Sequence, residues 1–292
     1  MSVRGSTLGG IAWMVLATAL FVALDTIAKY LTAIYPVEQV VWARFTFHLA
    51  FVACVLAPRG LPMFRSKRPG LQLLRSCFML GANACFFLAI RTMALVEATA
   101  IVFCGPLFVT LLSIPLLGER VGLRRISAVV VGFVGALIII RPGTDILQTV
   151  AVLPLLAALS FALYQILTRK LAPYDPPLTT LLYTSVAGTV GSCVLVPSVW
   201  VEPDMRGWVL MTGAGLFGAL GQLALIKAIQ LAPVSVVAPF NYLGLVWASA
   251  FGFIFFADVP DGPTIIGALI IAASGLYILR REQHATGEGS QS

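Results

Sequence analysis

Charge is what this chain has least of. Only 11% of its 292 residues are Asp, Glu, Lys or Arg, against about a quarter in soluble domains. Hydrophobic residues make up 59% and mean hydropathy is +0.97, so a water-facing surface cannot be assembled from it. Most segments lack a polar helix face, which excludes a soluble helical bundle as well. Reactive chemistry is equally sparse. The two histidines, His48 and His284, are isolated, and there is no carboxylate pair or nucleophile motif, which argues against an enzyme. The five cysteines (54, 77, 85, 104 and 193) lack metal-ligand spacing and read as small packing residues, so neither metal nor cofactor is expected. No phosphate-binding glycine loop ending in Lys-Ser/Thr occurs, so an ATP motor within the chain is excluded. A potassium-type filter sequence is missing too. The formal charge of +7 does not point to nucleic acid, because the basic residues gather in particular loops.

What the chain does have is ten apolar runs of spanning length, at 8–29, 36–57, 71–91, 95–117, 124–140, 151–170, 177–197, 208–230, 234–256 and 262–279. The first starts after a lone arginine, Arg4, and meets Asp25 and Lys29 without a small-residue cleavage site, so it reads as a span and not as a signal peptide. No connection is large enough for a soluble catalytic domain. Thirteen basic residues fall on one side: Arg4, Arg59, Arg65, Lys67, Arg68, Arg75, Arg120, Arg124, Arg125, Arg169, Lys170, Arg280 and Arg281. Only Lys29, Arg91, Arg141 and Arg206 fall on the other, which places both termini in the cytoplasm. The tail 282–292 is polar and reads as disordered, with His284 a solvated residue. The fold class expected is therefore an all-α polytopic membrane protein with ten transmembrane helices.

The halves echo each other. At an offset of 139, Ala89-Ile90 falls on Ala228-Ile229, Asn83 on Gln222, Glu119 on Asp258, Leu137 on Leu276 and Arg141 on Arg280. At 141, Lys29 meets Lys170 and Trp42 meets Tyr183. Residues 1–143 and 144–281 thus read as two five-helix repeats. An odd number of spans per repeat inverts the second against the first, as the loops agree: Gly118–Arg125 carries three arginines, whereas its counterpart Ala257–Gly262 carries Asp258 and Asp261 and no base. Inverted repeats are characteristic of secondary transporters. Small residues at Ala128, Gly132 and Gly135, and at Ala268, Ala272 and Gly275, give spans five and ten faces for close packing, as scaffold or as an oligomer contact.

Charged residues inside the runs are few and costly. Asp25 and Lys29, one turn apart, read as a local ion pair. Arg44 could snorkel, pair with Glu38 or gate. Glu97 is expected to pair with Arg91, and Lys227 either snorkels or binds a substrate carboxylate. The middle of the runs holds amides and hydroxyls instead of a charged relay: Asn83, Ser160, Tyr164, Gln165, Tyr183, Gln222, Asn241 and Tyr242. Aromatics accompany them, among them Trp13, Trp42, Phe86, Phe103, Phe161 and Phe240. Such a lining suits a small, partly apolar solute. Pro233, at the turn between spans eight and nine, and Pro239, inside span nine, read as hinges matched to "LAIRTMALVEATAI" (Leu88–Ile101) in the first half.

The stretch "FFLAIRTMALVEATAIVFCGPLFVTLLSIPLLGERVGLRRISAVVVGFVGALIIIRPG" (Phe86–Gly143), with its "LGER" and Gly-rich helix ending in Arg-Pro, resembles the drug/metabolite transporter superfamily, EamA type. A second copy, "IKAIQLAPVSVVAPFNYLGLVWASAFGFIFFADVPDGPTIIGALIIAASGLYILR", departs from it by Ala257-Asp258 where Gly-Glu is commoner. The resemblance covers Gly9 to Arg281. It implies a ten-helix carrier whose spans three, four, eight and nine surround the pathway, with one and six contributing. It carries over Asn83, Phe86, Phe87, Ala98 and Pro106 from the first half, and Gln222, Pro239, Phe240, Asn241 and Tyr242 from the second. Trp13, Tyr164 and Gln165 join these as lining residues, with Ala98, Pro106, Pro233, Pro239 and Arg44 in gating. The chain is also similar to bacterial aromatic amino-acid exporters, which implies export of aromatic or large neutral amino acids across the inner membrane. A carrier for nucleobases or a cofactor-like metabolite such as S-adenosylmethionine is the alternative, and a passive pore or scaffold a further one. The partners expected are a small-molecule substrate and membrane lipid.

Overall fold

The computed structural model describes residues 3–56, 66–118, 121–141, 147–232 and 234–288, and every regular element among them is helical. In order these are α1 (Val3–Thr32), α2 (Val37–Leu56), α3 (Pro69–Ile90), α4 (Leu95–Val102), α5 (Gly105–Leu117), α6 (Leu123–Ile140) and α7 (Leu147–Leu171). There follow α8 (Pro177–Cys193), α9 (Val196–Val199), α10 (Met205–Leu231), α11 (Val234–Val237), a 3-10 turn (Ala238–Tyr242), α12 (Leu243–Phe256) and α13 (Gly262–Glu288). Six stretches are long and apolar enough to cross a bilayer: Leu8–Thr32, Pro69–Ile90, Leu95–Leu117, Val150–Leu171, Met205–Leu231 and Ala238–Phe256. Ile126–Ile140 and Gly262–Ile278 are shorter apolar helices. This is a multi-pass membrane protein. The ten apolar runs fall on helical segments, although α8 is only 17 residues long and α2 carries Glu38, Arg44 and His48. The last helix continues past the apolar run to Glu288.

Three of the runs are broken, one at 194–195 between α8 and α9, and proline explains the other two. Pro106 has no N–H to give the Val102 carbonyl one turn earlier, and α4 ends at Val102. The chain passes through Phe103 and Cys104 before α5 begins at Gly105-Pro106. In the second half Pro239 opens the 3-10 turn between α11 and α12. The helices that follow these two proline breaks, α5 and α12, end alike. Gly118 and Ala257, 139 residues apart, both cap them in the left-handed region, with φ 69° and φ 55°. The departure at Ala257 leaves the backbone turn intact.

Packing joins the two halves throughout: α1 lies on α10, α3 on α7, α2 on both α8 and α10, and α6 on α13. The small-residue faces of α6 and α13 are used within the chain. A Cβ on Gly135 would stand 2.9 Å from the Gly267 carbonyl, and one on Gly267 would stand 2.5 Å from that of Gly135. Gly132 receives Leu107 of α5, and Gly275 receives the Tyr242 hydroxyl.

Each end of the bundle is tied by polar contacts far apart in sequence. At the end bearing the α1–α2 turn, Tyr35 donates to Asp204 and Gln39 exchanges hydrogen bonds with Val201. Here the expected Asp25–Lys29 pair is overturned. Lys29 Nζ turns to Asp258 Oδ2 at 2.6 Å, donates to the Met93 carbonyl at 2.9 Å and lies over the Phe256 ring. Arg141 pairs with Asp261, and that pair, with the hydrogen bond from the Thr264 backbone N–H, holds the Asp261 carboxyl down to about 2. The expected Glu97–Arg91 pair is not formed, and the charges that act on Glu97 through space are Asp261, Arg141 and Asp258. At the opposite end, Asp175 of the α7–α8 turn accepts from Ser66 Oγ, Lys67 N and Gln72 Nε2. Burial raises its affinity for a proton, but these donors together outweigh burial and its titration shifts downward.

Candidate functional site

The two proline breaks meet. Phe103, between α4 and α5, stacks on Tyr242, which closes the 3-10 turn, with ring centroids 5.1 Å apart and planes 29° from parallel. Their numbers differ by 139, the offset of the repeat, so two equivalent positions touch. Gly244 leaves room for the stack, because a Cβ there would stand 3.2 Å from the Phe103 ring. Discontinuous helices at a repeat interface expose backbone polar groups that a continuous helix would consume.

A set of polar side chains runs through the bundle from α1, α2, α3 and α7. Asp25 lies seven residues before the end of α1 and Arg44 seven residues after the start of α2, so both sit about 10 Å from the α1–α2 end. His48 is one turn deeper on the same face of α2. Arg44 and His48 are each 8% exposed. Arg44 acts through space on Asp25, on His48 and on Tyr164 of α7. No hydrogen bond reaches Arg44 Nε or His48 Nε2. The helix opposite is cut back to admit α2 at His48: a Cβ on Gly215 of α10 would meet the His48 backbone nitrogen at 2.8 Å, and one on Gly218 would meet its Nδ1 at 3.3 Å.

Arg75 of α3 contrasts with Arg44. It donates to Thr168 Oγ1 (2.6 Å), Thr184 Oγ1 (2.6 Å), the Thr180 carbonyl (3.1 Å) and the Tyr164 hydroxyl (2.6 Å). Its guanidinium also lies 4.1 Å from the centroid of the Tyr164 ring, which stacks on Phe161. Tyr164 thus meets the path as part of a saturated clamp.

The other expected lining residues are dispersed. Asn83 is buried, with its amide donating back to the Met79 carbonyl. Phe87 is fully buried and Phe86 half-buried, their rings 6.4 Å apart. Trp13 and Phe240 pack around Met14, Ala228, Ala232 and Val237 at the end opposite the α1–α2 turn. Gln222 is half-buried, whereas Gln165 and Asn241 are exposed. Ala98 is buried within α4, Pro106 is exposed at the start of α5, Pro239 is half-buried, and Pro233 lies outside the described residues. Arg44 is not a snorkelling residue and does not turn to Glu38. Lys227 is exposed, 5.1 Å above the Trp13 ring. Trp42 belongs to an aromatic cluster with Trp200 and Trp208 at the α1–α2 end, as expected of a membrane interface. Asp25 and His48 fall outside the expected lining and gating residues. The signal available was their type alone: ionisable groups inside apolar runs.

The EamA-like transporter family matches residues 8–141 and again residues 148–280. A riboflavin transporter of Vibrio cholerae is 30% identical over 287 residues, covering 97% of this chain and 96% of that one. An S-adenosylmethionine uptake transporter of Rickettsia felis is 27% identical, covering 98% and 97%. A pseudopaline exporter of Pseudomonas aeruginosa is 27% identical, covering 94% and 97%. A chain of known crystal structure superposes with a TM-score of 0.61 at 20% identity, over 96% of this chain and 99% of that one, a likeness of fold.

Proposed function

The chain belongs to the EamA-like transporter family, and we propose that it is an alternating-access secondary carrier for small metabolites joining a flat ring to a polar head. Ten helices in two inverted halves would cross the inner membrane, with both termini in the cytoplasm. Aromatic and large neutral amino acids, moved outward, are the leading substrates. The observation that carries this reading is the Phe103–Tyr242 stack at two equivalent helix breaks. A carrier must offer its site to both sides in turn, and a contact between equivalent positions of inverted repeats is the place least displaced when the halves exchange roles. Aromatic faces there favour a flat ring. A cofactor-like metabolite such as S-adenosylmethionine or a flavin is the second reading. It is favoured by the names of the relatives.

Purified protein in liposomes tests the reading with labelled L-tryptophan, L-phenylalanine, S-adenosylmethionine, riboflavin and adenine. Saturable uptake of at least one ring-bearing compound is expected, and Phe103→Ala should weaken it. Equal leakage of all five, or none above empty liposomes, would overturn it.

A further inference from the structure

We propose that Asp25 and Arg44 form a receptor for the zwitterionic head of an α-amino acid, the carboxylate on the Arg44 guanidinium and the ammonium on the Asp25 carboxylate. The proposal rests on the carrier reading above and adds the chemical class of the head group and the residues that recognise it.

Opposite charges at one depth in neighbouring antiparallel helices would ordinarily close on each other. Here they do not. Arg44 is buried, yet no ion pair or hydrogen bond joins it to Asp25, and its Nε has no partner. A guanidinium held this way in a membrane interior is costly unless something completes its shell. Arg75 supplies an internal control. It is buried to the same degree in the counterpart set of helices, α3 with α7 and α8, and the protein satisfies it with three hydroxyls and a carbonyl. Beside α2 the glycines of α10 make room at Phe47 and His48, and no α10 side chain is hydrogen-bonded to Arg44 among the described residues. The same bundle thus finishes one arginine with hydrogen bonds and gives the other only the Phe45 ring, 4.9 Å from its guanidinium.

The chemistry of the open pair selects its ligand. A simple anion would meet Arg44 but be repelled by Asp25, and a simple cation would meet the reverse. A group carrying both charges two bonds apart satisfies both, and the planar guanidinium fork matches a carboxylate. His48 Nε2, also without a partner, gives the carboxylate a further neighbour. Lys29, the cation nearest along α1, is engaged by Asp258 and does not compete for Asp25.

Competition binding to the full-length protein in detergent tests this with L-tryptophan, tryptamine, which lacks the carboxylate, and indole-3-propionate, which lacks the ammonium. S-adenosylmethionine, riboflavin and adenine complete the set. The expected result is that an amino-acid-headed compound binds, and that losing either charge weakens binding about tenfold or more. Arg44→Gln should abolish the preference for tryptophan over tryptamine. Asp25→Asn should do the same for indole-3-propionate. The wild-type series stands even where a variant fails to fold. Equal binding of tryptophan and tryptamine overturns the proposal. So does uptake of riboflavin or adenine with no competition from any amino-acid-headed compound, and in that case the carrier reading survives. Uptake and binding of none of the set overturns both.

Discussion

Arg75 and Arg44 are two guanidinium groups in one membrane bundle, and the difference between them is their neighbours. Arg75→Lys keeps the charge but loses the fork that reaches four acceptors, so a loss of about 2 kcal/mol in stability is expected, read from the thermal midpoint in detergent. A midpoint equal to that of the parent would show the clamp to be redundant. Ala257 bears a second local cost, since a side chain at φ 55° is strained by about 1 kcal/mol. Gly118 meets the same turn without that cost. Ala257→Gly should therefore raise the midpoint by a degree or more; a fall would place the strain elsewhere. These residues also show where sequence reading stops. Lys29 was assigned to Asp25 because spacing along one helix sees only that helix, whereas its partner Asp258 is 229 residues away. Arg75 was counted among interface charges because it lies near a helix start, and nothing in its own segment announces Thr168, Thr180 and Thr184. Tyr164 and Gln165 looked equivalent as neighbouring polar residues. A step of about 100° around α7 puts one in the clamp and leaves the other exposed.

At the scale of helices, length and hydropathy were legible, and so were the two proline breaks, because proline acts on the carbonyl one turn before it wherever the chain lies. Pro106 accounts for the end of α4 without reference to any tertiary contact. Which helices touch was not legible. The faces at Gly132, Gly135 and Gly275 announced close packing, but only the fold assigns them to Leu107, Gly267 and Tyr242. The α6–α13 contact carries a testable charge effect. Asp261 titrates at about 2 in the folded protein, below its ordinary 3.8, chiefly through Arg141. A carboxylate with a depressed folded value adds stability that is complete above about 4 and is lost as pH falls toward 2. Asp261→Asn should thus lower the thermal midpoint by a constant amount from pH 7 to pH 5, with the gap closing in more acid solution. The side chains are well exposed, so the effect is small and should shrink further in salt. A gap that widens on acidification would contradict this sign.

For the whole molecule, two similar halves pack through each other, helix against helix, and their equivalent positions Phe103 and Tyr242 touch. The offset was readable in the sequence from pairs such as Ala89-Ile90 with Ala228-Ile229. The contact was not, since it depends on how the two halves assemble. In the proposed alternating-access cycle the halves would exchange conformations, and the Lys29–Asp258 and Asp175 contacts at opposite ends would break and re-form. Transport by exchange differs from flow through a pore in one observable. Proteoliposomes loaded with unlabelled L-tryptophan, or with whichever ring-bearing compound proves to be carried, are diluted into a trace of the same compound in labelled form. The account predicts transient accumulation of label above its equilibrium level, driven by the outward gradient of unlabelled compound. Label that rises no faster and no higher than in unloaded vesicles would contradict it.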